Sequence, residues 1–252
     1  MNLTEDIYKG LLVTNNPGPE VLTYEGKAYY RYMDRFYTPQ VPASLKKEEV
    51  KALSEIRLKL ADEIIDTDYS LMVIDRLYSI IEESSKGGCI VDFGCGGGFL
   101  NELFNNNRNN ISSPGKIIGL DISDFAIKIA HKKYHSSMKN IKFSAYIFDE
   151  ETTLDLESNS IDSIISSFVM HFNIYDHQIS ELFRILKPGG CFVYNDYVFN
   201  KYKGHFKKTA SSLKKHGFII NDHNESFIHP HTSDIKNHRF VTAYKPDLSK
   251  PI

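Results

Sequence analysis

The stretch Ile90-Val91-Asp92-Phe93-Gly94-Cys95-Gly96-Gly97-Gly98 runs from an apolar segment into a glycine-rich turn. Glycine takes positive φ and lets a ligand lie against bare backbone. The glycines fall as Gly94-x-Gly96-x-Gly98, and Phe99 stands where a dinucleotide fingerprint has its third glycine. Asp92 sits two positions before the first glycine. A carboxylate there repels a pyrophosphate and suits a ligand carrying an ammonium group. Gly119-Leu120-Asp121-Ile122-Ser123 ends the next apolar run. A carboxylate about 20 residues beyond such a turn is placed to accept both hydroxyls of a ribose, and Asp121 lies 121 − 98 = 23 past Gly98. An aspartate after a strand also serves as a helix cap, but Ser123 or Asp124 can cap here, which frees Asp121. His171 follows a further apolar run, Ile161–Phe168. Its imidazole, with an ordinary pKa of about 6.5, could take a proton from a hydroxyl or position one. The competing reading is a histidine that only packs in a pocket wall.

Residues this far apart act together only if the fold carries them to one edge. The pattern predicts such a fold. Apolar runs at Cys89–Phe93, Lys116–Leu120, Ile141–Phe148, Ile161–Phe168, Gly190–Tyr194, Phe218–Asp222 and Arg239–Tyr244 read as strands. Helical patterns separate most of them, at Phe99–Phe104, Asp124–His135, His177–Leu186 and Tyr202–His216. This alternation predicts a doubly wound α/β fold: a mostly parallel seven-stranded sheet with helices on both faces. Only a loop separates the last two strands, so the last strand should run antiparallel. Two further helices are expected upstream. One runs from about Ser44 through Ile64; the other carries Leu71, Ile74, Leu77, Ile80 and Ile81 and stops near Gly87-Gly88. Residues 1–45 lack periodicity but are rich in aromatics. The expected organisation is an N-terminal, mainly helical cap or lid over 1–70 and a core over 71–252.

Composition narrows the function classes. Lys+Arg total 30 against 32 Asp+Glu in 252 residues, a net charge of −2, which argues against a strongly basic nucleic-acid binder. No apolar run approaches the ~20 residues of a membrane span, so no membrane partner is expected. The N-terminus lacks a basic start followed by an apolar core. Cys89, Cys95 and Cys191 have no metal-like spacing and read as reduced thiols, so a cytoplasmic location is expected. A metal site from His229, His231 and His238 is imaginable, but a hydrophilic loop is the better reading and no metal is expected. The Asn-rich Asn105–Gly115 reads as an exposed loop. Lys201, Lys203, Lys207, Lys208, Lys214 and Lys215 read as a solvated helix face.

With the glycine turn and Asp121 in place, the chain resembles the class I S-adenosylmethionine-dependent methyltransferases over roughly residues 70–245. Four further blocks fit: Asp149-Glu150 after the third core strand, Asn159-Ser160-Ile161-Asp162 entering the fourth, Ser166-Ser167-Phe168-Val169-Met170-His171-Phe172 ending it, and Leu186-Lys187-Pro188-Gly189-Gly190 before the fifth. The resemblance implies S-adenosylmethionine as cofactor and S-adenosylhomocysteine as product. It implies that Asp92 anchors the methionine ammonium and that the backbone of Gly94, Cys95, Gly96 and Gly98 passes under the methionine moiety. It further implies that Asp121 holds the ribose, Ile122 meets the adenine face, and Asp149 or Glu150 reads the adenine amino group. Ser167 and Phe168 would line the pocket between cofactor and acceptor. The residues expected at the acceptor are His171 as a base or contact, Asp196 and Tyr197 after the fifth strand, and Tyr29, Tyr30 and Tyr32 in the cap. No Asn-Pro-Pro-Tyr or Asp-Pro-Pro-Tyr follows the fourth strand and no Cys occupies that segment, which argues against the two nucleic-acid base mechanisms that use them. The expected enzyme methylates an O or N atom of a small molecule in specialised metabolism, as a monomer or homodimer. The alternatives are an RNA or protein methyltransferase, and a cofactor-binding protein that transfers no methyl, such as a cyclase or regulator.

Overall fold

The computed structural model describes residues 6–33, 35–84, 88–105, 113–134, 141–197, 205–247 and 249. Gly87, most of the Asn-rich loop, His135, Tyr202, Lys201 and Lys203 lie outside the described residues. The chain forms two compact units: Met1–Ile65 with His171–Asn173, and Asp66–Met170 with Ile174–Ile252.

In the first unit, β1 (Asp6–Tyr8), β2 (Leu11–Val13), β3 (Val21–Tyr24), β4 (Lys27–Met33) and β5 (Phe36–Thr38) make an antiparallel sheet in the order β1-β2-β5-β4-β3. The helices expected here do form, as α1 (Lys47–Lys59) and the short α2 (Ala61–Ile64), but they follow this sheet. The segment is therefore not mainly helical. Two-residue turns build it: Lys9-Gly10 joins β1 to β2 and Glu25-Gly26 joins β3 to β4, all four residues at positive φ. That is the primed-turn geometry that matches strand twist. At β2 and β5 the sheet buries both faces. Leu11 and Phe36 pack with Ala52, Leu53 and Ile56 of α1 and with Phe172. Leu12, Tyr29 and Tyr37 cluster together, and the Tyr37 hydroxyl accepts the Gly18 N–H at 2.9 Å. A segment with two buried faces has no alternating pattern to read.

The second unit opens with α3 (Thr67–Ser84), followed by β6 (Cys89–Phe93), α4 (Leu100–Asn105), β7 (Lys116–Asp121), α5 (Asp124–Tyr134), β8 (Lys142–Ile147) and β9 (Ile161–Ser166). It closes with α6 (Asp176–Ile185), β10 (Leu186–Tyr197), α7 (His205–Lys215), β11 (Ile219–Ile228) and β12 (Ile235–Tyr244). The strand order is β11-β12-β10-β9-β6-β7-β8. All neighbours are parallel except the pairs made by β12. This is the expected seven-stranded sheet with its last strand antiparallel. Ile179, Leu182 and Ile185 of α6 and Leu213 of α7 cover one face, over Val91, Ile118, Ile164 and Phe192. Val73, Leu77 and Ile81 of α3 and Leu103 of α4 cover the other, over Ile90, Ile117, Ile165 and Val193. The closing hairpin is longer than expected, and its hydrophilic connection shrinks to residues 229–234. Most residues from Asn221 to Asn224 and from Ile235 to Asn237 are exposed, so no buried face marks them as strand in the sequence.

Candidate functional site

The carboxyl ends of β6, β7, β9 and β10 lie along one edge of the sheet, where open α/β sheets take their ligands. The turn after β6 is fixed by its neighbours. Gly94 and Cys95 donate their N–H groups to the Leu120 carbonyl, at 2.7 and 3.0 Å. Gly94 has φ of 78°, and a Cβ there would come within 2.2 Å of Val169 Cγ2. At Gly96, φ is 51° and a Cβ would meet nothing within 4 Å, so bare backbone faces open space. Cys95 points inward: its Sγ lies over Gly119, and burial pushes its thiol up. Only its backbone belongs to the turn's outer surface.

Asp121 closes the turn from the side. One carboxylate oxygen accepts the Gly96 N–H and the other accepts the Ser123 N–H, both at 2.9 Å. Ser123 caps α5 through its hydroxyl, which accepts the Ala126 N–H at 3.3 Å. A carboxylate oxygen can accept more than one donor, so a ribose hydroxyl is a chemically suitable partner here. Asp92 is buried at the end of β6. Burial, with Asp121's charge second, raises its pKa to about 7. Two neighbouring carboxylates at one turn, both of them buried, form a site that a positive group would relieve.

Asp149 and Glu150 begin the loop after β8. Asp149 Oδ1 accepts the Thr152 hydroxyl at 2.7 Å and the Glu151 N–H at 3.1 Å. Helix α6 holds this loop: Glu181 accepts the Leu154 N–H at 2.9 Å, and Arg184 donates to the Leu154 and Leu156 carbonyls. Ile122 is half-buried at the end of β7. Neither acid is singled out by these bonds.

At the end of β9, Ser166 donates its hydroxyl to the Phe93 carbonyl at 2.7 Å, tying β9 to β6. Ser167 and Phe168 follow, both half-buried, Phe168 with φ of 58°. Asn195 and Asp196 of β10 point to opposite faces. Asp196 is raised by burial, with His205 and Arg239 pulling it back. Tyr197 lies against Phe168 and His238, with ring centroids 5.8 and 4.8 Å apart.

The residues of the first unit singled out from sequence divide. Tyr32 Oη and His171 Nε2 are 2.9 Å apart, and both rings pack on Phe172. Tyr30 is exposed, while Tyr29 is core of the small sheet. Tyr29 is thus filled by packing duty. His238 turns to Tyr69 and Asn195, away from any shared site with His229 and His231. Among the described residues no group of three or more His, Cys, Asp or Glu is arranged to hold a metal.

Tyr69, Asn195 and His238 form a buried chain that no local motif announces. They come from the first turn of α3, from β10 and from β12. Its trace in the sequence is slight: Asn195 is the first polar residue after the apolar run Cys191-Phe192-Val193-Tyr194.

A seven-stranded sheet of this order, with a glycine turn and acids ending its first two strands, defines a class I nucleoside-cofactor fold. Residues 84–239 match the family model described as a methyltransferase domain. The chain belongs to this family, the class I S-adenosylmethionine-dependent methyltransferases, whose cofactor is S-adenosylmethionine. Among curated relatives, the biotin biosynthesis bifunctional protein BioHC of Teredinibacter turnerae is 26% identical over 147 residues, covering 58% of this chain and 24% of that protein. The tRNA N(3)-methylcytidine methyltransferase trm140 of Schizosaccharomyces pombe is 29% identical, covering 48% of this chain and 40% of that protein. The chain thus spans well under half of each of these relatives. The [4+2]-cyclase SpnF shares the fold, with a TM-score of 0.56 and 17% identity over 82% of this chain and 99% of that one. Among the described residues no helix is long and apolar enough to cross a membrane.

The site fits the family's cofactor. The open backbone at Gly96 leaves room for a ligand, and the buried Asp92 beside Asp121 calls for a cation.

Proposed function

We propose that the protein transfers a methyl group to an O or N atom of a small-molecule acceptor. When bound, S-adenosylmethionine supplies an activated methyl on a sulfonium. In this reading Asp92 holds the ammonium, the Gly94–Gly98 backbone lies under the methionine moiety, and Asp121 holds the ribose. Asp149 or Glu150 faces the adenine amino group, with Ile122 at the adenine face. Ser167 and Phe168 wall the pocket. Asp196 and Tyr197 serve the acceptor. The first unit serves acceptor recognition through Tyr30, Tyr32 and His171.

The observation that carries the O or N preference is the 2.9 Å pair of Tyr32 Oη and His171 Nε2. An imidazole oriented by a phenol is equipped to take a proton from a hydroxyl or amine. Much of the remaining rate can come from orientation, since effective molarities of ~10⁵–10⁸ M follow from placement alone.

The test incubates the protein with S-adenosylmethionine and a panel of phenols, carboxylic acids and amines, and reads S-adenosylhomocysteine. Turnover with a member of the panel, lost in His171→Gln at unchanged cofactor affinity, supports the reading. Turnover only with bulk tRNA would replace it by an RNA methyltransferase. That second reading has the tRNA-modifying relative behind it and the exposed Lys207, Lys208, Lys214 and Lys215 of α7. Salt-dependent RNA binding would mark it. Cofactor binding without turnover on any acceptor would leave a protein that binds the cofactor without transferring methyl.

A further inference from the structure

The buried chain of Tyr69, His238 and Asn195 has a defined polarity. The Phe168 N–H donates to Asn195 Oδ1 at 2.9 Å. That fixes the amide, because only its oxygen can accept. The Asn195 NH₂ then faces His238 Nδ1 at 3.1 Å and must donate to it. His238 is fully buried, and burial lowers its pKa to about 4, so the ring is neutral and carries one proton. With Nδ1 accepting, that proton is on Nε2. His238 Nε2 meets the Tyr69 hydroxyl, so Tyr69 accepts there. Burial raises Tyr69 to about 12, so the phenol keeps its own proton. That proton is therefore directed away from His238, and among the described residues no acceptor meets it.

The chain is rigidly mounted. Asp66 Oδ1 accepts the Tyr69 N–H at 2.8 Å. The His229 ring stacks on Tyr69 with centroids 5.1 Å apart. The Phe168 ring, held in left-handed backbone, lies 6.4 Å from Tyr69 on another side. A non-glycine residue kept at positive φ at a sheet edge is the kind of strain that surrounding structure must hold in place. Here the Phe168 N–H bond to Asn195 does the holding.

Position on the sheet separates this chain from the ribose end. Asp121 ends β7, two strands from β9 and on the far side of β6. The Tyr69 chain sits on α3, β10 and β12, tied by Asn195 to Phe168 just past the end of β9. We infer that Tyr69 is a hydrogen-bond donor to an anionic or carbonyl oxygen of the methyl acceptor, with His238 and Asn195 as the positioning residues that turn its proton outward. The acceptor class is a small molecule bearing a phenolate, enolate or carboxylate oxygen. This rests on the methyltransferase reading of the site. In such a chain each donor polarises the next, which strengthens the last bond.

The test uses the full chain saturated with S-adenosylhomocysteine and titrated with p-nitrophenolate, followed by its absorbance band. p-Nitroanisole, which carries no oxyanion, is the control ligand. The parent protein should bind the phenolate with a shifted band. Tyr69→Phe should weaken that binding about tenfold, the scale of one hydrogen bond to a charged group. Affinities for S-adenosylhomocysteine and p-nitroanisole should hold within twofold. His238→Leu should give a smaller loss for the phenolate alone, a selectivity that a merely structural role would not produce. If Tyr69→Phe weakens S-adenosylhomocysteine instead, Tyr69 serves the cofactor and the inference falls. It falls equally if the parent binds no phenolate, if Tyr69→Phe leaves phenolate binding unchanged, or if all ligands are lost together. Failure of the parent to bind S-adenosylhomocysteine would overturn the methyltransferase reading instead.

Discussion

The two halves of the sheet's carboxyl edge are built by different means. At the β6–β7 end, backbone does the work: the Gly94 and Cys95 N–H groups go to Leu120, and the Gly96 N–H goes to Asp121. Every residue there lies within 92–123. At the β9–β10–β12 end, side chains do it: Tyr69, Asn195 and His238 meet from positions 126 and 43 residues apart. A turn that must admit a fixed cofactor is a local problem. A cluster assembled from three distant elements is a problem of packing across the whole unit.

The first way to break the comparison is to fill the backbone turn. Gly94→Ala forces a Cβ to within 2.2 Å of Val169 at a φ of 78°. We expect a loss of about 2–4 kcal/mol of stability, from overpacking plus left-handed strain, and no measurable S-adenosylhomocysteine binding. Urea unfolding and calorimetric titration check both. If binding survives, the turn is softer than its bonds suggest.

Asp121→Ala comes next. It removes the acceptor for two backbone N–H groups and should weaken S-adenosylhomocysteine by about 1–3 kcal/mol. An unchanged dissociation constant by calorimetry removes Asp121 from the site.

Asp92 gives a pH test of the same end. Its folded pKa of about 7 lies above the ordinary carboxylate value of 3.8. Between those values the folded state holds a proton that the unfolded state has lost, so stability falls as pH rises through that window. Asp92→Asn should remove this fall, making the ligand-free protein more stable at pH 8 by about 4 kcal/mol while leaving it unchanged at pH 4. The same variant should bind S-adenosylhomocysteine more weakly at pH 8. Thermal melts at both pH values decide it; a variant that melts lower at pH 8 contradicts the assignment.

This contrast also explains what could be read from sequence. The seven core strands and the glycine turn after the first of them were legible because each depends on neighbours in the chain or on runs buried on both faces. The N-terminal sheet was not. Its strands are three to seven residues long, and Leu11-Leu12 and Phe36-Tyr37 are buried on opposite faces, which erases alternation. The signal present was the pair of X-Gly turns, Lys9-Gly10 and Glu25-Gly26. In an extended segment Tyr29 points away from Tyr30 and Tyr32, and the strand sends Tyr29 to core and Tyr30 to solvent; which face would be core was not legible, because the packing partners lie on other strands. His238 stood out only as one of several histidines, and its partners lie on other elements.

The smallest expected effect sharpens the comparison from outside. Lys207→Glu with Lys208→Glu changes two exposed side chains of α7. S-adenosylhomocysteine affinity should stay within about twofold, as for surface changes remote from a site. A larger change would tie α7 to the cofactor end.

The most direct measurement is calorimetric titration of the parent protein with S-adenosylhomocysteine and, separately, with NAD. The backbone turn with Asp92 behind it should give saturable binding of S-adenosylhomocysteine and no measurable heat with NAD, whose pyrophosphate the carboxylate repels. Saturable NAD binding without S-adenosylhomocysteine binding would contradict the account.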